Sequence, residues 1–348
     1  WVADRLKGQF MAFLTIAGIM LCLSVFALFN GVVFSPALWF AICMVLAVSS
    51  YSILTIVLGA QAALWTSDKN DQTRIAGARE AFGLIGLVIA ISMPTALSYA
   101  TTPDKIYVWH SMILFLLMLA GICGFSKIVL RTYPSTLIKD MRNQSLLLSL
   151  RSLPGESLRL FFVYSLSMLA SSIPAVLVIF YVRDFLGTEH LLGMFLLVYF
   201  LSGAVAMPMW KNISVQFGKY KAWNIGNILA VSGFIGAFFL NPGDAWFYGV
   251  ICTISGFALG ADLILPASIL SDHIHKHANS ACSGMHSALF AFTSKASMAL
   301  ASAMVLPVLH AAGFKPQIMN SKNALMVLSV SYALVPCALK LASTGFLY

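Results

Sequence analysis

Charge is what this sequence has least of. Only 9% of its 348 residues are Asp, Glu, Lys or Arg, against the roughly 25% of a soluble domain. That shortage excludes a chain whose surface lies mostly in water. Alternating apolar and polar segments of about ten residues are missing too, which excludes a transmembrane β-barrel. Cysteine is sparse and scattered: Cys22, Cys43, Cys123, Cys252, Cys282 and Cys337 form no CxxC pair and no zinc-ligand spacing. Packing in apolar surroundings is the reading left for them. The acids are few and dispersed, so no carboxylate cluster marks an enzyme's active site. A net charge of +9 raises the question of a nucleic-acid partner, and the placement of the basic residues answers it in the negative.

Apolar side chains fill the space that charge leaves, at 60% of the chain. They come in runs of roughly 20 residues, the length of a helix that crosses a bilayer. Backbone groups in hydrocarbon must pair within their own segment, so runs of this kind are helices. The pattern predicts ten of them, over about 9–30, 37–63, 80–100, 106–127, 158–182, 189–210, 222–240, 245–271, 283–311 and 324–346.

The connections between these spans alternate in charge. One set carries Arg5 and Lys7; Lys69, Arg74 and Arg79; Lys127, Arg131, Lys139, Arg142, Arg151 and Arg159; Lys211, Lys219 and Lys221; and Lys276, which is 15 of the 21 basic residues. The other set carries Lys105, Arg183, Lys315 and Lys322. The positive-inside rule places the first set and both termini in the cytoplasm, which predicts a multi-pass protein of a plasma membrane, a bacterial inner membrane by expectation. Trp39, Trp65, Trp109, Trp210, Trp223 and Trp246 fall near span ends and are expected to anchor at the headgroup level. The longest polar connection, residues 131–157, is basic, and Asn143–Leu153 is spaced to lie as an amphipathic helix on the inner surface. It divides the chain into a helical portion over 1–130 and a second bundle over 158–348.

Within the spans, ionisable side chains are the functional candidates, because a charge at membrane depth costs several kcal/mol unless it is paired or hydrated. Lys295 lies mid-span in FTSKASMALAS and Asp262 mid-span in GFALGADLILP. An Asp262–Lys295 pair would neutralise both charges. Lys340 is the other basic residue inside a span. Gly256 and Gly260 form a GxxxG that permits close helix packing. Asp272 is followed by His273, His275 and His277. Residues at i and i+2 do not share a helix face, so this run reads as a solvated turn and no metal site is expected.

Several segments carry a family resemblance. WVADRLKGQF resembles the end of helix II and the following loop of a major facilitator protein. SDKNDQTRIAGAREAFGLIGL is similar to the helix IV–V loop of the glycoside–pentoside–hexuronide:cation symporters, the melibiose-permease group. SLRSLPGESLRLFFVYSLSMLASSIPAVLVIFYVRDFLG resembles their central loop and helix VII. GADLILPASILSDHIHKH and GMHSALFAFTSKASMALASAMVLPVL resemble helices X and XI. The resemblance implies an all-α major facilitator bundle in which the ten spans are helices III–XII of twelve, with helices I and most of II not in this chain. It implies a secondary transporter that couples a cation, Na⁺ or H⁺, to a sugar- or glycoside-like solute by alternating access. No resident cofactor, metal or nucleic acid is implied, and the protein is expected to be a monomer in the lipid bilayer.

The resemblance also assigns roles. The lysine at the Lys295 motif faces the central cavity and links substrate and cation sites, and the arginine at Arg79 reaches the sugar. Asp4 and Arg5, with Asp272, belong to cytoplasmic gating contacts. One departure stands out: YSILTIVLGAQAALW occupies the helix IV position without an acid, leaving Tyr51, Ser52, Thr55 and Gln61 as its polar side chains. That composition keeps open a second substrate class on the same fold, amphipathic or lysolipid-like molecules. A membrane-embedded enzyme is the third and least supported reading.

Overall fold

The computed structural model describes residues 10–31, 35–64, 69–98, 100–102, 105–132, 155–276 and 283–347. Among them the fold is all helix, without strands. The helices are α1 (Phe10–Asn30), α2 (Pro36–Leu64), α3 (Lys69–Ser98), α4 (Ile106–Thr132), α5 (Gly155–Phe180), α6 (Leu192–Phe217), α7 (Lys219–Ala237), α8 (Ala245–Lys276), α9 (Ser283–Ala311), α10 (Lys322–Ser329) and α11 (Val335–Phe346). A π-helical turn, Tyr181–Phe185, extends α5, and another, Val330–Leu334, joins α10 to α11 in one rod. The expected amphipathic helix over Asn143–Leu153 lies outside the described residues.

Eight helices among the described residues are long and apolar enough to cross a membrane. Of the ten expected crossings, that count leaves out α1 and α7. Helix α1 is 21 residues long and carries no charge. Helix α7 opens with Lys219 and Lys221 and carries Asn224 and Asn227, which dilute its apolar character. Large apolar side chains stand on the outside, among them Phe82, Val205, Phe239 and Phe292 at 64–74% exposure. An outer surface of that kind suits lipid rather than water.

The chain folds as two compact units: Trp1–Trp65, Ile89–Arg151 and His277–Ala291 form one, and Thr66–Val88, Ser152–Lys276 and Phe292–Tyr348 the other. In the first, α1 packs on α2 and α4. Asn30 Nδ2 donates to the Ser111 hydroxyl at 2.6 Å, and Trp39 Nε1 donates to the Ala27 carbonyl at 3.0 Å. In the second, α8 packs on α6 and α7, and α11 on α5 and α7.

Helices in lipid gain little from hiding apolar surface, so close backbone approach must hold them together. The GxxxG of α8 supplies it. A Cβ on Gly256 would run into the Tyr199 carbonyl of α6, and one on Gly260 would come within 2.9 Å of the Gly203 carbonyl. Four of the tryptophans divide between two roles. Trp109 and Trp246 are exposed, as interfacial anchors are. Trp210 and Trp223 are at most 1% exposed, which corrects their expected interfacial placement. Each indole N–H has a buried acceptor, the Phe257 carbonyl at 2.7 Å for Trp210 and the Asp262 carboxylate at 3.0 Å for Trp223, and a satisfied N–H lets the ring enter the core.

Gly256→Ala is expected to lower stability by about 1–3 kcal/mol, the usual penalty of overpacking. Gly249→Ala, on the same helix with nothing closer than 3.9 Å to its new Cβ, is expected to be neutral or stabilising by up to about 1 kcal/mol. Thermal unfolding of the two variants in detergent checks the contrast.

Candidate functional site

The most concentrated polar cluster of the second unit lies around Asp262 on α8. The serines of YSLSMLASS place Ser167 and Ser171 one helical turn apart on α5, on one face. Trp223 and Asn227 hold the same spacing on α7. All four side chains meet the same carboxylate–ammonium pair. Ser167 Oγ donates to Asp262 Oδ1 at 3.1 Å, Ser171 Oγ to Oδ2 at 3.2 Å, and Trp223 Nε1 to Oδ1 at 3.0 Å. The fourth donor is Lys340 of α11, whose Nζ pairs directly with Oδ2. Lys340 also donates to Ser167 Oγ at 2.7 Å and to Asn227 Oδ1 at 3.1 Å. The ion pair is dry, with side-chain exposures of 3% and 5%.

This geometry corrects the expected Asp262–Lys295 pair. Lys340 is the partner, because α11 packs on α5 and α7 and delivers its lysine into the cluster they form with α8. The sequence signal was present, since Lys340, like Lys295, is a basic residue placed well inside a span. Lys295 itself lies on α9, near the middle of the apolar span His286–Ala311 and half-buried. Tyr164 of α5 hydrogen-bonds to Ser294, the residue before it.

The remaining candidates are dispersed. Arg79 donates from Nη2 to Glu80 Oε1 at 2.6 Å and from Nε at 3.0 Å, so its guanidinium is engaged by its neighbour on α3. On α2, Thr55 Oγ1 donates to the Tyr51 carbonyl at 2.7 Å and Ser52 Oγ to the Val48 carbonyl at 2.6 Å, while the Tyr51 ring is exposed. Asp272, at the far end of α8 from Ala245, pairs with Lys219 at the start of α7 at 2.8 Å. The same lysine donates to the Ser268 carbonyl at 3.3 Å. Beside it, the Tyr220 hydroxyl meets His273 Nε2 at 2.9 Å, and His273 is 7% exposed. A buried, hydrogen-bonded imidazole corrects the expectation of a solvated turn at that residue. Asp4 and Arg5 lie outside the described residues, as does the side chain of Gln61.

Two aromatic and polar ties close the opposite end of the second unit. Tyr181 and Tyr332, one from each π turn, stack with centroids 4.1 Å apart, and the Tyr332 hydroxyl shares a 2.6 Å hydrogen bond with that of Tyr248. Asp184 accepts from Arg183 Nη2 at 2.9 Å and from the Gln317 backbone N–H at 3.0 Å, which fastens the end of α5 to the α9–α10 loop.

Residues 3–348 match the family described as MFS/sugar transport protein. A glucuronide carrier protein homolog of Escherichia coli K12 is 22% identical over 298 residues, covering 84% of this chain and 65% of that protein. The chain thus spans slightly less than two thirds of that curated relative. The E. coli fucose:proton symporter FucP superposes with a TM-score of 0.71 at 12% identity, over 98% of this chain and 85% of the other. The proton:xylose symporter XylE, solved with 6-bromo-6-deoxy-D-glucose, gives 0.65 at 10% identity, over 96% and 80%. These structural likenesses establish the major facilitator fold.

Asp262→Asn is expected to destabilise the protein by about 3–5 kcal/mol, because it leaves Lys340 as a buried charge without its counter-ion. Asp262→Leu combined with Lys340→Met is expected to recover most of that loss. Melting temperatures and monodispersity in detergent check both; a single variant that melts like the wild type would remove the pair from the contacts that hold this unit.

Proposed function

The chain belongs to the MFS/sugar transport protein family, and from that premise we propose that it carries a sugar- or glycoside-like solute across a plasma membrane by alternating access, coupled to Na⁺ or H⁺. The observation that carries this reading is Lys295. A cation near the middle of the 26-residue apolar span His286–Ala311, half-buried and outside the Asp262 cluster, is costly to keep in a membrane and marks a solute or ion path. In this reading Lys295 contacts the solute or tracks the state of the cation site, while Asp262 and Lys340 hold the unit that presents it. Arg79, Tyr51, Thr55 and Gln61 are further candidates along the path. Asp272 with Lys219, and Asp4 with Arg5, are candidates for contacts that form and break at the cytoplasmic face. The distribution of basic residues supports cytoplasmic termini, and a monomer suffices for the mechanism. The coupling ion would be the only inorganic partner, and no resident cofactor takes part.

A second substrate class has one observation in its favour. The α2 hydroxyls of Ser52 and Thr55 are turned onto carbonyls of their own helix, and that helix has no acid among its 29 residues. A surface of this kind suits the apolar part of an amphipathic or lysolipid-like molecule better than it suits a ring of sugar hydroxyls. Competition by glycosides or by lysolipids in one uptake assay separates the two classes. An enzyme is set aside, because the family is one of transporters.

Lys295→Ala is expected to lower gradient-driven uptake in proteoliposomes at least tenfold with yield and melting unchanged, since its depth points to the transport path. Lys295→Arg, which keeps the charge, is expected to retain part of the activity. Wild-type uptake by the alanine variant, with the gradient still required, would refute the role of Lys295.

A further inference from the structure

The end of the second unit that carries Asp272 holds a second feature beside the Asp272–Lys219 contact. A cavity of about 470 Å³ opens between the start of α5, the α6–α7 junction and the end of α11. That volume falls within the roughly 300–1,000 Å³ typical of small-ligand sites. Three cations line it, Arg159, Lys219 and Lys221, against one acid, Glu156. Lys219 is held by Asp272. Among the described residues Arg159 donates from Nε to the Phe346 carbonyl at 3.0 Å, a bond that does not use its Nη groups. Lys221 is exposed. Gly218, at φ +86, turns the chain from α6 into α7 in a single residue, and no side chain caps the α7 N-terminus that results. The positive dipole end of α7 therefore adds to the field of the three cations.

The same walls are apolar beside the charges. Phe217 and Phe346 line the cavity and are 57% and 53% exposed, above a floor that includes buried Leu160. An inorganic anion would be drawn by the cations and would leave those rings in contact with nothing it could use. A molecule with an anionic head and long apolar chains satisfies both parts of the wall. The excess of basic residues assigns this end to the cytoplasmic face, where anionic phospholipids are drawn to basic pockets between helices.

We propose that this cavity binds an anionic phospholipid of the inner leaflet, its phosphate held by Arg159 and Lys221 and its chains laid against Phe217 and Phe346. The test uses the full chain, purified and placed in nanodiscs of phosphatidylethanolamine with or without phosphatidylglycerol, with bound lipid counted by native mass spectrometry after extraction. The wild type is expected to retain phosphatidylglycerol over phosphatidylethanolamine. Arg159→Gln with Lys221→Gln is expected to weaken that retention roughly 25-fold, and Lys221→Gln alone, at an exposed residue, roughly fivefold. Lys315→Gln with Lys322→Gln, in the α9–α10 connection, is expected to leave it unchanged. Equal retention by the wild type and by Lys221→Gln overturns the proposal. Release of the lipid by excess inorganic phosphate also overturns it, by making the cavity a free-anion site. Because the readout is bound lipid, the result is independent of which solute is carried and of whether Lys295 lies on its path.

Discussion

One carboxylate organises the second unit. Asp262 accepts from four side chains on three other helices: Ser167 and Ser171 on α5, Trp223 on α7 and Lys340 on α11. In a low-dielectric interior each of those bonds is stronger than in water, and any group left unpaired there is correspondingly costly. The cluster therefore sets the mutual positions of α5, α7, α8 and α11. A hydrophobic interface between the same helices would allow small slips and rotations, because one apolar surface resembles another. Directional donors onto two oxygens fix the rotation of each helix about its own axis.

Lipid as a solvent explains why such a cluster is needed. Association of helices in hydrocarbon draws on van der Waals contact and hydrogen bonds rather than on the release of water. The α6–α8 seam, where Gly203, Gly256 and Gly260 bring backbones together, supplies the first. The Asp262 cluster supplies the second. Between them they bind α8 on two sides, with α6 on the glycine side and α5, α7 and α11 joined through polar groups. Charge is scarce throughout this chain, and the few ionisable groups at membrane depth do work that apolar residues cannot.

The class of fold was legible because it depends on bulk properties. Runs of apolar residues and missing charge dictate membrane helices whatever the packing, and the quoted segments pointed to the family. The GxxxG of α8 was legible for the same reason, since its meaning is local. Partners were not. That Asp262 and one of the two lysines within the spans would pair follows from cost alone, but the choice between Lys295 and Lys340 depends on which helices adjoin α8. Trp223 was read as an anchor because it lies near the end of its predicted span, two residues after Lys221. Only the position of Asp262 shows that its indole N–H has a buried acceptor. The i, i+4 pairs Ser167/Ser171 and Trp223/Asn227 were visible as polar stripes on apolar helices, a signal that gains meaning when a charge is found opposite.

The π turn at Val330–Leu334 bears on this cluster from a distance. A π turn fits one more residue into a helix than an α-turn would, without lengthening the chain's path in proportion. Each α-helical residue advances the side-chain direction by roughly 100°, so one extra residue resets the direction of everything that follows. Lys340 lies six residues beyond Leu334. In an uninterrupted α-helix its ammonium would point roughly a third of a turn away from Asp262. The extra residue is thus a phase correction: it allows α10 to keep its own contacts with the end of α5 while α11 aims its lysine inward. Set against an uninterrupted α-helix with the same two ends, such a correction is a single-residue insertion.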